Sequence, residues 1–330
     1  PEAYVARTDT YIEKDLAIND QIDRLRLAAT RSLLERRDVI IVSSVSCIYG
    51  LGLPEYYKQM RLTLNRGGSY RRDEVLLHLI QLHYDRNDFD LMRSTFRVRG
   101  DILEIVPAYE DDLAYRVEFF GDEVERISEI DPLTGQVFSR LETLTIYPAS
   151  HHVTPEEARD RAILLIEEEL ALRETQFKEN NQLIEAQRIR ERTRYDLEMI
   201  KAIGFCKGVE NYSRHFGGRQ EGEPAPCLIN YFPDDFLLFI DESHQTLPQL
   251  HAMYNGDRAR KASLIEFGFR LPSAFDNRPL QFKEFYEVIH QVIYVSATPG
   301  AWEVSEAGGV VVQQVIRPTG LLDPTIEIRS

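Results

Sequence analysis

Phe236–His244 reads FLLFIDESH, five apolar residues running directly into an Asp-Glu pair. A run of that kind suits a buried strand whose carboxyl end delivers Asp241 and Glu242 to the edge where α/β sheets bind ligands. Further along, Val292–Gly300 reads VIYVSATPG, a second apolar run that releases into Ser296, Ala297 and Thr298. Two carboxylates at a strand end fit in-line phosphoryl transfer, in which one holds Mg²⁺ and the other orients or deprotonates the attacking water. Hydroxyls at a neighbouring strand end can bond the acidic pair and report the nucleotide's state. Taken singly, DESH is also a plain strand end with helix-starting acids, and SATPG is also a turn. Their order and spacing together point to a nucleotide cleft. The phosphate-cradling pattern G-x-x-x-x-G-K-[ST] is absent, for the 330 residues contain no Gly-Lys pair.

Outward from these strands the text is α/β. Asn19–Arg37 keeps a helical beat, with Ile22, Leu25, Ala29 and Leu33 on one face, and Val39–Val42 then suits a strand covered on both sides. The turn Ser43–Gly52, SSVSCIYGLG, is either a ligand loop beyond that strand or a connection. From Gln59 to Ser150 the texture changes: two short helical stretches, Pro54–Leu64 and Asp73–Tyr84, give way to alternating runs. Those runs are punctuated by Gly100-Asp101, Gly121-Asp122 and Asp131–Gly135, as in an antiparallel meander. Thr154-Pro155-Glu156-Glu157 restarts helical text with a capping box and an early proline, and that text runs to Gly204 with a break at Asn180-Asn181. The expected fold is therefore α/β. A parallel lobe in two segments, 19–58 and 151–330, the second including a helical subdomain, carries an inserted, mainly antiparallel β domain over 59–150.

Composition sets the remaining bounds. With 43% hydrophobic and 28% charged residues the chain reads as globular, and its net charge of -15 argues against electrostatic coating of nucleic acid while leaving a local grip open. Cys47, Cys206 and Cys227 stand far apart with no C-x-x-C, which fits a reduced, cytoplasmic chain without a structural metal. No Cys or carboxylate stands at metal-ligand spacing from His151-His152, so no metal is expected there. No apolar run approaches the ~18 residues a bilayer span needs, so no membrane partner is expected. Arg188–Arg194, RIRERTR, reads as a solvated helix face with Glu185, Glu191 and Glu198 at pairing distance along the helix. The missing initial Met and the strand-like alternation at Thr325–Arg329 suggest a piece of a longer protein.

DESH and SATPG in this order resemble motifs II and III of superfamily-two helicases. The match extends further. PEAYVARTDTYIEKD from Pro1, DVIIVSSVSCIYGLG from Asp38, FRVRGDILEIVPA from Phe96 and IRPTGLLDP from Ile316 occur in the order found in the UvrB family, the damage-verifying subunits of bacterial nucleotide excision repair. The resemblance covers essentially the whole chain. It implies a P-loop-type motor lobe whose phosphate loop precedes Pro1, and whose second lobe and UvrC-contacting domain follow Ser330. The parent would use ATP and Mg²⁺ as a DNA-dependent ATPase with limited helicase action. The piece itself would bind neither tightly.

By the same resemblance Asp241 and Glu242 are the magnesium and water-activating pair, His244 is the coupling position, and Ser296, Ala297 and Thr298 form motif III. Residues 1–18 become the return arm of a hairpin inserted between strands of damaged double-stranded DNA. Tyr4 and Tyr11 would be its stacking rings and Lys14 its cation; read without the resemblance, the tyrosines are strand residues packing on a neighbour. The 59–150 insert becomes the UvrA-docking domain, with Arg86, Arg97 and Arg99 meeting an acidic partner surface. Its 11 Arg and no Lys support this only weakly, since the whole chain has 32 Arg against 7 Lys. Two rivals remain: the catalytically inert, UvrA-docking front part of a transcription-repair coupling factor, and an unrelated superfamily-two translocase. Intact DESH and SATPG count against the first, FRVRGDILEIVP against the second.

Overall fold

A computed structural model describes residues 2–13, 19–315 and 326–327. Lys14 and the IRPTGLLDP stretch lie outside the described residues. At the N-terminus β1 (Ala3–Val5) and β2 (Thr10–Ile12) pair antiparallel with Tyr4 opposite Tyr11, and Asp9 closes the turn at φ 46°. Where a single return arm was expected over 1–18, both arms of this small hairpin fall within 3–12. α1 (Asp20–Glu35) begins where the Asn19 side chain accepts the Ile22 N–H at 3.1 Å. Its buried stripe is Leu27, Thr30 and Leu33; Ile22 and Leu25, expected inside, are exposed. The first turns of α1 face the insert through charge instead, with Arg93 bonded to Asp20 and 3.2 Å from Asp23.

Val39–Val42 does not form the expected strand, and Ile40 and Val42 are 92% and 95% exposed. A buried strand needs a neighbour for its backbone groups and cover for its faces. Here a cavity of about 1070 Å³ is lined by residues 39–44 on one side and by the strand that FLLFI forms on the other. The following turn is a packing joint. A Cβ at Gly52 would stand 1.5 Å from the carbonyl oxygen of His151, so only glycine lets the two backbones cross there.

The insert is organised by its turns. After α2 (Pro54–Gln59) the sequence LTLN alternates inward and outward, so β3 (Leu62–Asn65) replaces the helix expected to continue to Leu64. α3 (Arg72–Gln81) leads into β4 (Asp85–Arg86), β5 (Thr95–Arg99), β6 (Ile102–Val106), β7 (Ala114–Phe120), β8 (Glu123–Ile130) and β9 (Val137–Leu141). These six strands lie in sequence order in one sheet, antiparallel except for the short β4–β5 pairing. Gly100 and Gly121, both at φ 63°, make the reversals between β5 and β6 and between β7 and β8. β10 (Thr143–Ile146) returns to pair with β3. One sheet face carries Phe96, Leu103, Ile105, Val117 and Ile127 into a core shared with Leu79 and Tyr84. Each such side chain contributes about 1.5–3 kcal/mol when fully buried.

α4 (Glu156–Glu179) and α5 (Leu183–Ile203) form an antiparallel pair joined through Asn181 at φ 61° and ended by Gly204 at φ 76°. The helix starts at Glu156, so Pro155 takes the cap position and the Thr154 capping box does not form. The short α6 (Ser213–Phe216) packs on this pair. β11 (Leu237–Ile240), α7 (Ser243–Glu266), α8 (Phe282–Glu287), β12 (Gln291–Tyr294) and α9 (Ala301–Glu306) complete the α-helices and strands of the described residues. β11 and β12 pair in parallel, with Ile240 beside Tyr294. Only one face is covered. Ile240 packs with Leu247, Leu250 and Phe285, whereas Leu237, Phe239, Ile293 and Val295 are exposed, which corrects the expectation of buried strands.

Candidate functional site

The ends of β11 and β12 bring the two motifs together. Val295 donates its N–H to the Ile240 carbonyl at 2.9 Å and accepts the Ser243 N–H at 3.0 Å, so the parallel ladder continues past both strands into the turns. Glu242 sits in the left-handed region at φ 45°, which turns the chain sharply into α7. A non-glycine residue there stores strain of about 1–3 kcal/mol, which the surrounding bonds must hold in place. Those bonds are visible: Asp241 Oδ1 accepts the Glu242 N–H at 3.0 Å, and Thr246 Oγ1 donates to the Asp241 carbonyl at 2.8 Å. Both carboxylates remain exposed.

His244 joins the two turns. Its Nδ1 lies 2.8 Å from Ser296 Oγ and 3.5 Å from Glu242 Oε2, while Thr298 donates its N–H to Ser296 Oγ at 3.0 Å. Glu242, His244, Ser296 and Thr298 thus form one connected group beside Asp241; Ala297, between the hydroxyls, contributes backbone and an exposed methyl. Among the described residues no cluster of three His, Cys, Asp or Glu could hold a metal unaided. An exposed carboxylate at a strand end, such as Asp241, is nonetheless a hard oxygen donor of the kind Mg²⁺ takes singly beside a phosphate ligand. The residues fit the ion that the sequence resemblance implies.

A residue the sequence gave no reason to single out stands behind this turn. The Ser243 hydroxyl, wholly buried, donates to Glu303 Oε1 at 2.9 Å, and Glu303 is itself only 5% exposed. Burial alone would raise the Glu303 carboxyl, but the N–H groups of Glu303 and Gly300, the Ser243 hydroxyl and the nearby His244 hold it below the usual range. The only available signal was position, a glutamate on the third residue of the helix that follows SATPG.

The outer face of the insert sheet carries its arginines in register. Arg97 lies opposite Glu104, Glu104 opposite Arg116, Arg116 opposite Ser128 and Ser128 opposite Arg140. Arg97 and Arg99 share this face as alternation requires, yet their states differ. Arg97 is bonded to the buried Glu104, which also takes Arg116 at 2.7 Å; Arg99 is exposed. Burial would raise the Glu104 carboxyl, and the two guanidiniums, that of Arg97 first, bring it below the usual range. Arg86 sits at the sheet edge, paired with Asp88 at 2.9 Å.

The hairpin tyrosines pack inward. Tyr11 stacks on Phe269 with centroids 4.6 Å apart and planes 6° from parallel, and Tyr4 lies 4.7 Å from the same ring. Arg188 covers Phe269 at 4.3 Å and Arg192 covers Tyr11 at 5.1 Å. Partners of the RIRERTR helix therefore lie across elements, with Arg190 on Glu174 and Arg192 on Glu2, and not on the same-helix glutamates expected from spacing. Burial and the bond to Glu2 push the Tyr11 hydroxyl up to about 12. Beneath it Glu2, 5% exposed, receives Arg270 at 2.9 Å, and Arg270 lies 3.6 Å from Asp196, which accepts the Tyr212 hydroxyl at 2.7 Å.

These features define a class: a mixed α/β protein of several sheets, which combines an antiparallel, arginine-faced domain, a helical pair and a parallel strand pair that ends in carboxylates and hydroxyls. Residues 62–152 match the family model of the UvrB interaction domain, and residues 157–218 that of the UvrB third helical domain. The chain is 69% identical over 329 residues to UvrABC system protein B of Protochlamydia amoebophila, covering 100% of this chain and 49% of that protein. It is 60% identical over 328 residues to the protein of the same name from Caldicellulosiruptor saccharolyticus, covering 99% and 50%, and 57% identical over 329 residues to that of Nitratidesulfovibrio vulgaris, covering 100% and 49%. The chain belongs to the UvrB family. It spans about half the length of these curated relatives. Among the described residues no helix is long and apolar enough to cross a membrane.

Proposed function

We propose that this chain carries the UvrA-docking domain and the magnesium-side half of the ATP site of a damage-verification subunit in nucleotide excision repair. The observation that carries the reading is the linked group Glu242, His244 and Ser296 at the ends of two parallel strands, in a chain whose neighbouring domain matches the UvrB interaction domain. Asp241 is the residue to hold Mg²⁺ and Glu242 the one to orient water. Bound ATP and Mg²⁺ would supply the phosphoryl group and the charge neutralisation that in-line transfer needs. His244 and Ser296 relate the acidic turn to the second strand, with Ala297 and Thr298 completing that strand's turn.

Docking to UvrA falls to the insert, through Arg97 and Arg99 on its outer face and Arg86 at the sheet edge. Tyr4 and Tyr11, with Lys14, are assigned to contact with strands of damaged DNA, and assembly with UvrC would use parts of the parent beyond this chain. Working in the cytoplasm on DNA, such a subunit needs no membrane contact. A pull-down of the chain with UvrA tests the docking half. Binding is expected, with Arg99→Glu weakening it about tenfold or more through like-charge contact. Full-strength binding by a variant reversed at Arg86 and Arg99 would remove that assignment. For the nucleotide half, Asp241→Asn and Glu242→Gln in the longest protein encoded around this chain should abolish ATP hydrolysis.

A further inference from the structure

Two turns that carry the candidate chemistry are joined not only by His244 and Ser296 at the surface but by a buried bond underneath. Ser243 follows Glu242 directly and has no exposed surface; its hydroxyl donates to Glu303 Oε1 at 2.9 Å. Glu303 lies on α9, the helix that begins just after the SATPG turn, and its second carboxylate oxygen, Oε2, lies against Gly300 at the start of that helix. One carboxylate thus holds the first turn of α9 and the residue beside the strained Glu242. Gly300 is required for this arrangement, since a Cβ there would approach Glu303 Oε2 to 2.5 Å.

We propose that Glu303 is a positioning residue for the nucleotide site: through Ser243 it fixes the turn that presents Asp241 and Glu242, and it makes that turn follow α9. A buried acid is an uneconomical choice for packing alone, because its desolvation must be offset by several hydrogen bonds. Here one carboxylate oxygen takes the Ser243 hydroxyl of the acidic turn and the other lies against Gly300 of the SATPG turn, so the group serves the two turns. Glu242 is held at φ 45° by the bonds on either side of it, so loosening the Ser243 anchor lets the turn relax and moves both carboxylates. The proposal rests on the reading of Asp241 and Glu242 as the nucleotide carboxylates.

The test is a double-variant cycle in the longest protein encoded around this chain, measured as ATP hydrolysis. Glu303→Gln and Ser243→Ala are each expected to lower kcat about tenfold while KM for ATP stays within about twofold, the effect of losing one charge-assisted bond that acts on geometry and not on binding. The double variant should be no worse than the poorer single one, because both changes break the same bond. Gly300→Ala, which displaces the carboxylate without removing it, should give the same split and serves if Glu303→Gln does not fold. Unchanged kcat in Ser243→Ala, or losses that multiply in the double variant, would overturn the proposal. Asp241→Asn and Glu242→Gln run alongside: if they leave hydrolysis intact the nucleotide reading itself falls, whereas if they abolish it and Ser243→Ala does not alter kcat, only the role of Glu303 falls.

Discussion

Arg270→Met should be the most costly single change at the base of the hairpin. Arg270 and Glu2 expose 5% and 6% of their side chains, lie 2.9 Å apart, and are joined by Asp196 at 3.6 Å. Removing one member of a buried ion pair costs about 3–5 kcal/mol, because the remaining charge stays out of water without its partner. Glu2 keeps Arg192 at 3.0 Å and the Tyr11 hydroxyl, which places the expected loss near the lower end, about 3 kcal/mol. At about 2–4 °C per kcal/mol the transition that includes α5 and the hairpin should fall by about 6–12 °C. Glu2→Gln combined with Arg270→Met should recover at least half of that loss, since no orphan charge remains.

The pair also has a pH signature. Burial would raise the Glu2 carboxyl, but the Arg270 guanidinium, then Tyr11 and Arg192, leave it below the usual range. A depressed acid stabilises the folded state above the ordinary carboxylate range and loses that contribution as pH falls through its folded value. Asp196 works in the opposite sense, because burial outweighs Tyr212 and Arg270 and holds its carboxyl above the usual range. Calorimetry across pH 3–7 would read both effects. An Arg270→Met variant that melts within a degree or two of the parent chain, or a double variant whose losses simply add, would refute this account of the hairpin base.

His151, buried against Tyr57 and 3.0 Å from Thr30, is pushed down to about 3 by burial; it stays neutral when folded, so stability should fall on acidification from about pH 6.5, by up to ~1.4 kcal/mol per unit, and His151→Gln should flatten that slope in urea titrations. Gly52→Ala should destabilise by about 1–3 kcal/mol or more, since its methyl meets the His151 backbone, and a denaturant midpoint equal to the parent's would contradict the crossing described. Phe269→Ala removes the ring on which Tyr4 and Tyr11 rest, and should raise amide exchange over residues 3–12 while that of β5–β8 is unchanged.

Legibility in the sequence followed how local each cause is. Parallel pairing of β11 and β12 could be read because two apolar runs end in chemistry, and the insert's meander because Gly100 and Gly121 sit where φ must be positive. The break between α4 and α5 was equally plain at Asn180-Asn181. Val39–Val42 misled because apolar residues state a preference for cover without stating that a neighbour is there; β3 was hidden because four alternating residues beside a helix follow no helical or strand period long enough to separate them. The site shows the same division. Asp241, Glu242, His244 and Ser296 announce themselves in two short motifs, whereas Glu303 and the Glu2–Arg270–Asp196 group depend on packing between segments far apart in sequence.

The intercalated acids of the insert sheet decide what kind of company its outer face keeps. Arg97 and Arg116 already hold Glu104, Arg126 holds Glu118 and, at the edge, Arg86 holds Asp88, so an acid that meets these four must exchange carboxylate for carboxylate. Such an exchange releases little net electrostatic energy and rewards only an acid whose oxygens meet the guanidinium forks at the right angle. An evenly charged polyanion, indifferent to that geometry, gains little from the paired arginines, which leaves the exposed Arg99 as a guanidinium open to a first contact.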